Sequence, residues 1–211
     1  MVTYWVTTPF WLKKLFPKGL VWDMPVTEEP AVYITFDDGP HPTATPFVLE
    51  QLAKYDAKAT FFCVGNNVTK FPGVYEQVLK AGHTTANHTY NHMNGRKTDT
   101  DTYLQNIEKA KEHIHSRLFR PPYGLIRGNQ VRRLRRSDPN WKVIMWSVLS
   151  ADFDRKLAPQ KCLDNVLKNI KPGSIVLFHD SEKAWDRMNF ALPRVLEYCH
   201  SRGWKMKAIP G

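Results

Sequence analysis

The sequence predicts an α/β fold in which helices cover a mainly parallel β-sheet within one domain. Strand-like and helix-like segments alternate about seven times along the chain, a pattern typical of parallel sheets with crossover helices. The chain has 211 residues, of which 42% are apolar, and it contains no repeat or low-complexity tract. This length and composition allow one substantial core.

The first two predicted strands are each followed by a helix. Residues 31–36 are β-branched and aromatic, which predicts a short strand, and a helix capped by Thr43 follows it. A second strand over residues 58–64 precedes a helix that begins at Pro72 and ends at Gly82.

The rest of the chain continues this alternation. Residues 83–87 predict a third short strand, and apolar residues at helical spacing predict a helix over residues 100–117. The later segments are a short strand that begins at residue 118 and is stopped by the prolines at 121 and 122, a basic helix over 127–136, a strand over 141–149, a helix over 158–170, a strand over 174–178, a helix over 190–200 and a last strand over 205–209.

Charge and cysteine content exclude some classes of function. The net charge is +10, and the basic helix over residues 127–136 holds five arginines. Leu and Val within it indicate a helix with a solvated basic face, and no recognisable nucleic-acid module accompanies it, so we expect no nucleic-acid partner. The three cysteines are widely spaced without a CxxC pair, which indicates neither a zinc finger nor a disulfide framework.

Residues 1–30 precede the first strand, and we expect them to pack as an extension on a domain formed by residues 31–211. Their apolar part has no cationic region before it and no A-x-A-like site after it, so it matches a secretory signal poorly. No apolar run approaches 18 residues, and no transmembrane helix is expected. Weak membrane contact stays open through Trp5, Phe10, Trp11 and Leu15.

Two adjacent carboxylates, Asp37 and Asp38, lie where the first strand ends and a loop begins. Consecutive strand residues point to opposite faces, so the two should differ in surroundings. That suits two roles, such as a metal ligand and a base, although an Asx-type turn is the alternative.

His88 and His92 are four apart, so on a helical turn both imidazoles can reach one ion. With a carboxylate they suit zinc, and also cobalt, nickel, manganese or iron.

Polar residues follow several predicted strands at the same end. In a barrel of parallel strands, active sites are built at the carboxyl edge. Because these clusters share one edge, a common site is a better explanation than separate turns. The clusters are Asp37 with Asp38, His88 with His92, Arg120, Asp152, and His179.

These motifs resemble those of the polysaccharide deacetylases with a NodB-homology domain, carbohydrate esterase family four. The resemblance runs from about Val32 to Ile209 and covers five family motifs in order. It implies a distorted (β/α) barrel of about seven parallel strands in a single domain. It also implies one divalent metal ion as cofactor, zinc before cobalt, nickel, manganese or iron.

The resemblance implies a role for each motif residue. Asp37 would be the base, oriented by Arg120, and His179 the general acid, paired with Asp152. The backbone N–H of Tyr123 would bind the oxyanion, and Leu177 would line the acetyl pocket. The implied metal ligands are Asp38, His88 and His92.

The fourth motif departs from the family pattern. The family usually shows Asp-x-x-Asp-Trp, whereas here Leu149 stands at the first Asp and Phe153 at the Trp. Asp152, the expected partner of the catalytic histidine, is retained. The wall of the substrate groove that includes Phe153 is therefore altered, and polymer specificity is not carried over.

The expected function is removal of N-acetyl groups from N-acetylhexosamine residues of a glycan, such as peptidoglycan or a chitooligosaccharide, with release of acetate. A de-O-acetylase, an amidase for small amides and a noncatalytic glycan- or anion-binding domain stay open. We expect a monomer. The substrate class favours the cell envelope or periplasm, and the N-terminus leaves the cytoplasm open.

Overall fold

The computed structural model describes residues 5–211, which contain eight strands and eight helices. The strands are β1 (Ala31–Asp37), β2 (Thr60–Cys63), β3 (Thr84–Asn87), β4 (Leu118–Phe119), β5 (Lys142–Val143), β6 (Val148–Leu149), β7 (Ile175–His179) and β8 (Lys205–Met206). The helices are α1 (Phe10–Lys13), α2 (Ala44–Ala53), α3 (Gly65–Lys70), α4 (Pro72–Lys80), α5 (Thr100–Lys111), α6 (Gly128–Ser137), α7 (Pro159–Leu167) and α8 (Trp185–Ser201). Two 3₁₀ turns cover Pro122–Gly124 and Glu182–Ala184.

Seven of the strands form one sheet in the order β5-β4-β3-β2-β1-β7-β6, and β8 pairs with β1. Every pairing between these strands is parallel. The α/β class, the distorted barrel of about seven parallel strands and the single domain are thereby confirmed.

The sheet curls because its two edge strands, β5 and β6, are joined by a very short segment. Ile144 donates its N–H to Phe119 at 2.8 Å, and Ser147 donates its N–H to Ile175 at 3.0 Å. A fully extended chain covers at most about 18 Å over the five steps of residues 143–148. A flat seven-stranded sheet would separate its edges by about 29 Å, so the sheet must bend toward closure.

The prediction of one continuous strand over residues 141–149 is wrong. The segment is β5 and β6 with a connection between them. Its two ends pair with opposite edges of the sheet, β5 with β4 and β6 with β7. Apolar character alone predicts burial of this segment, but the choice of partner strands depends on the curvature of the whole sheet.

Strand β1 lies inside the sheet between β2 and β7, and all seven of its residues are buried. Alternation sends Ile34 and Phe36 toward the helices, where they join the largest apolar cluster. Tyr33 packs in a separate cluster on the other face. Asp37 lies on the same face of β1 as Tyr33, so its carboxylate points into the barrel.

Residues before β1 hydrogen-bond to the barrel strands. Thr7 forms an antiparallel bridge with Val148 of β6, and Val21 forms a parallel bridge with Ile144. The Met24 N–H donates to the main chain near the start of β7 at 2.9 Å. These contacts place residues 6–24 against the strands that bring the two sheet edges together.

Three large apolar side chains of this segment are solvent-exposed, with Trp5 at 55%, Trp11 at 57% and Leu15 at 71% exposure. The side chain of Phe10 and all of residues 1–4 lie outside the described residues. Within the described chain, every helix is too short or too polar to cross a bilayer. Weak membrane contact by the N-terminus stays a prediction.

Candidate active site

The carboxyl ends of the barrel strands surround one cavity of about 450 Å³. Predicted site residues make up most of its wall. Arg120 and Asp152 are fully buried and contact cavity residues from behind. The cavity is lined by Asp37, Asp38, His88, His92, Tyr123, Gly124, Trp146, Leu149, Phe153, Leu177, His179 and Lys183.

Asp37 is held by a buried ion pair at the end of β1. The Arg120 Nη1 donates to Asp37 Oδ1 at 2.7 Å, and both side chains are almost fully excluded from solvent. Such a pair compensates a charge that would be very costly to bury alone. The second carboxylate oxygen, Oδ2, lies 3.7 Å from His88 Nε2 and so faces the cavity.

Arg120 is fixed by more than Asp37. Its guanidinium also donates to Thr35 Oγ1 at 2.8 Å and to the carbonyl oxygens of Ile144 at 3.2 Å and Met145 at 2.8 Å. These two carbonyls belong to the connection between β5 and β6. The short segment that brings the sheet edges together therefore also fixes the arginine that holds Asp37.

Asp38, His88 and His92 present donor atoms that all lie within 4.8 Å of one another. Asp38 Oδ1 is 3.1 Å from His92 Nε2 and 3.8 Å from His88 Nε2. This oxygen is buried and accepts no hydrogen bond from the described residues. A buried carboxylate oxygen without a hydrogen bond, facing two imidazole nitrogens, fits a divalent ion.

The two histidines are oriented as metal ligands require. His88 Nδ1 lies 2.7 Å from the Arg120 carbonyl oxygen, which can only accept, so Nδ1 carries the proton and Nε2 is free. His92 Nδ1 lies 3.2 Å from the Tyr123 hydroxyl, which can accept in the same way. Burial lowers the pKa of His88 to about 4, so this ring is neutral at neutral pH.

The pKa of Asp38 is well below its usual range. Burial by itself would raise it, but the contact with His92 and the charge of nearby His179 favour the carboxylate. Asp38 is therefore ionised, as a carboxylate ligand must be.

His179 ends β7, and its imidazole is tied to Asp152. Nδ1 donates to Asp152 Oδ1 at 2.7 Å, and the His179 backbone N–H donates to Asp152 Oδ2 at the same distance. Burial would lower the pKa of His179, but the charge and hydrogen bond of Asp152 raise it to about 9. The ring is thus protonated at neutral pH, as a general acid must be.

Tyr123 and Leu177 lie in the cavity wall as predicted. The Tyr123 N–H has no hydrogen-bond acceptor within residues 5–211, so it is available to a ligand. Leu177 packs with Leu149 and Ala151 in a small apolar cluster that Phe153 also contacts. Leucine and phenylalanine in the fourth motif therefore make this wall apolar where the family pattern has Asp and Trp.

The loops of the site hold most of the strained backbone of the described chain. Six non-glycine residues have positive φ, and five of them lie in these loops. Each such conformation costs about 1–3 kcal/mol and persists only where its surroundings impose it, typically at functional sites. The five are Asp38, Thr89, His92, Tyr123 and Ala151.

Sequence reasoning did not assign roles to several supporting residues. Arg187 of α8 is buried and donates from Nε to the Asp152 carbonyl oxygen at 2.6 Å. Asp180, also buried, accepts from the Gly39 N–H at 3.1 Å and from the Thr45 hydroxyl at 2.5 Å. The position of Asp180 next to His179 could have identified it as a site residue, whereas nothing in the local sequence distinguishes Arg187 from a surface arginine.

A family model for polysaccharide deacetylases matches residues 25–138. The chain belongs to the polysaccharide deacetylase family. It is 33% identical over 204 residues to a peptidoglycan-N-acetylglucosamine deacetylase of Bacillus cereus, which covers 93% of this chain and 94% of that protein. A second Bacillus cereus protein of the same name is 33% identical over 186 residues, and the chain spans only 66% of its length.

Other family members extend the range of substrates and activities. A chitooligosaccharide deacetylase of Azorhizobium caulinodans is 33% identical, covering 85% of this chain and 93% of that protein. A crystal structure of a peptidoglycan N-acetylglucosamine deacetylase superposes with a TM-score of 0.85 at 31% identity, covering 96% of this chain and 95% of that one. A CE4 family pseudoenzyme from Bacillus anthracis superposes with a TM-score of 0.78 at 26% identity, covering 94% and 69%.

Proposed function

We infer that this protein is a metal-dependent hydrolase that removes N-acetyl groups from N-acetylhexosamine residues of a glycan and releases acetate. One observation carries this proposal. A buried carboxylate, Asp37, and a protonated imidazole, His179, face the same cavity as the donor set of Asp38, His88 and His92. Relatives named as peptidoglycan and chitooligosaccharide deacetylases support the same class of reaction.

Asp37 is the proposed general base. Its Oδ1 is held by Arg120, and its Oδ2 is 3.7 Å from His88, so Oδ2 is the oxygen proposed to take the proton of the attacking water. Proton transfer to a positioned base contributes typically about 10²–10⁴-fold to a rate. A divalent ion bound by Asp38, His88 and His92 would supply Lewis acidity and a more acidic water at neutral pH.

His179 is the proposed general acid. Its Nδ1–H is committed to Asp152, which leaves Nε2–H as the proton for the departing amine. Asp152 orients the ring and stabilises its charged form, and Arg187 holds the Asp152 main chain in place. The acid and the base thus come from neighbouring strands, since His179 and Asp37 are partners in the parallel register.

The acetyl group would lie between these two residues. The Tyr123 N–H is proposed to bind the developing oxyanion, as preorganised donors do in acyl transfer. Leu177 is proposed to contact the acetyl methyl. Phe153 lies against His179, with ring centroids 5.4 Å apart, and would shield the acid from bulk water.

The proposed substrates are peptidoglycan and chitooligosaccharides. We further propose that residues 31–211 form the catalytic domain with residues 1–30 as its extension. The protein is expected to act as a monomer in the cell envelope or periplasm, where such a substrate occurs. The apolar wall at Leu149 and Phe153 distinguishes this groove from the usual family pattern.

The decisive test is acetate release from N-acetylglucosamine oligomers by the zinc- or cobalt-loaded protein. We expect activity that a chelator abolishes and that added metal restores. A binding domain without catalysis, like the pseudoenzyme of the same fold, would release no acetate. A de-O-acetylase would release acetate only from O-acetylated glycans.

Two variants test the assignment of roles. Asp37→Asn should lower kcat by about 10²–10⁴-fold without weakening zinc binding, because it removes only the base. Asp38→Ala should instead weaken zinc binding by more than about 100-fold, which equilibrium dialysis measures directly. Asp56→Asn and His115→Ala, both outside the cavity, are the matched controls. Full activity of Asp37→Asn would remove the base assignment.

A further inference from the structure

Lys183 is a cation in the cavity wall to which neither the motifs nor the proposed chemistry assigns a role. It lies in the 3₁₀ turn Glu182–Ala184, four residues after His179, and its side chain is exposed. The cavity also contains carboxylates, but Asp37 is paired with Arg120, and Asp38 belongs to the donor set. Within the part of the chain that the structure describes, no carboxylate forms an ion pair with Lys183.

The ammonium group of Lys183 is held at the mouth of the site by an aromatic ring. Its Nζ lies 5.6 Å from the ring centroid of Phe153, and that ring in turn packs edge-on against His179. An ammonium over an aromatic face is attracted without being neutralised. Phe153 thus positions the charge beside the proposed acid while leaving it available to a ligand.

The main chain that carries Lys183 is fixed by a buried residue. Arg187 Nη2 donates to the Lys183 carbonyl oxygen at 2.6 Å, and Arg187 Nε donates to the Asp152 carbonyl oxygen at the same distance. One buried guanidinium therefore fixes the turn of Lys183 relative to the Asp152 loop. The main chain of Lys183 therefore has a fixed place relative to Asp152, the partner of the proposed acid.

Lys183 also borders a second cleft of about 580 Å³ on its other side. That cleft contains Arg155 and Trp185 as well as two acids, Glu182 and Asp186. A polymer crossing from the active cavity into this cleft would pass Lys183. The whole chain carries a net charge of +10, so the long-range field also attracts anions.

We propose that Lys183 makes this site select glycans whose sugars carry carboxylates near the scissile acetamide, over neutral N-acetylglucosamine oligomers. The inference rests on the proposed deacetylase function and assigns the substrate charge for the same cavity. A peptidoglycan strand, with its acidic substituents, belongs to the first class, and a chitooligosaccharide to the second. Lys183 would be a specificity residue that contacts the substrate without taking part in proton transfer.

The test compares two oligosaccharides of equal length, one built only from N-acetylglucosamine and one with a carboxylate on alternate residues. The zinc-loaded full chain should show a higher kcat/KM on the anionic glycan. Lys183→Gln should lower the anionic-to-neutral ratio of kcat/KM by about 3–5-fold, the size expected for a solvent-accessible ion pair. Lys183→Glu should lower it further, and added salt should reduce the preference of the wild type.

Lys171→Gln is the matched control, because Lys171 is exposed and precedes β7 at the end away from the cavity. Its ratio should equal that of the wild type. An unchanged ratio in Lys183→Gln, with acetate still released, would overturn the Lys183 proposal alone. No acetate from either glycan would instead contradict the deacetylase proposal. In that case, equilibrium binding of the same two glycans tests Lys183 without catalysis. An equal affinity for both glycans would exclude Lys183 as a specificity residue.

Discussion

Replacing Arg120 by methionine should destabilise the protein by about 3–5 kcal/mol. The fully buried guanidinium donates to Asp37 and Thr35 and to the carbonyl oxygens of Ile144 and Met145. Methionine fills much of the volume but leaves Asp37 as a buried charge without its partner. Removing one member of a buried ion pair costs about 3–5 kcal/mol, a large fraction of the roughly 5–15 kcal/mol that stabilises a domain.

The structure also predicts how this cost depends on Asp37. In an Asp37→Asn background the charge that Arg120 neutralises is absent, so Arg120→Met should cost less by at least about 1 kcal/mol. Arg132→Met is the control, because Arg132 is an exposed arginine of α6. Its effect should stay within about 0.5 kcal/mol.

Urea unfolding of the metal-free protein, followed by circular dichroism, measures all four variants on one scale. The midpoint and the slope together separate a change in stability from a change in the unfolded state. A loss below about 1 kcal/mol in Arg120→Met would contradict the expected cost of an unpaired Asp37. So would an equal loss with and without the Asp37 charge, since the cost would then come from packing.

Three further predictions concern His179, Asp180 and Gly39. The folded pKa of His179 is about 9 against 6.5 for a free imidazole, so its pairing with Asp152 stabilises the metal-free fold fully below about pH 6.5. In the wild type the free energy of unfolding should therefore lose this contribution as the pH rises through 9, whereas His179→Gln has no such contribution to lose. Urea titrations over this pH range measure both proteins, and parallel curves would contradict the prediction. Burial raises the pKa of Asp180 to about 8, so Asp180→Asn should be tolerated. Asp180→Ala should cost about 1–3 kcal/mol, because the Gly39 N–H and the Thr45 hydroxyl lose their acceptor. Gly39→Ala should lower the melting temperature, since the added Cβ would clash with Asp180 Oδ2, and an unchanged melting curve would show that the loop shifts freely.

The sequence predicted the elements whose physical signal is local. Alternation in β1 predicts that Asp37 and the residue after it differ in surroundings, and the structure buries Asp37 against Arg120 while Asp38 faces two imidazoles. The sequence identifies His88 and His92 as ligands of one ion, and their Nε2 atoms both approach Asp38. The helical turn expected from their spacing is wrong, because residues 88–92 form a loop with positive φ at Thr89 and His92. The catalytic and metal roles of these residues stay predictions until activity and metal binding are measured.

Other features depended on contacts between distant segments. Apolar residues over 141–149 predict a buried strand, but the chain divides there because the curled sheet offers it two different edges. The role of Arg187 arises only because α8 packs where the Asp152 loop ends. No local pattern marks such residues, since their partners lie more than thirty positions away.

The sequence of this protein was enough to predict the α/β class and the location of the polar motifs at the carboxyl edge of the sheet. These follow from periodicity and side-chain chemistry, which act over a few residues. The three-dimensional contacts were needed to show which oxygen of Asp37 faces the cavity and which nitrogen of His88 carries the proton. They also place Lys183 beside Phe153, without an ion-pair partner among residues 5–211. Those properties depend on distances between strands and loops, and folding alone sets such distances.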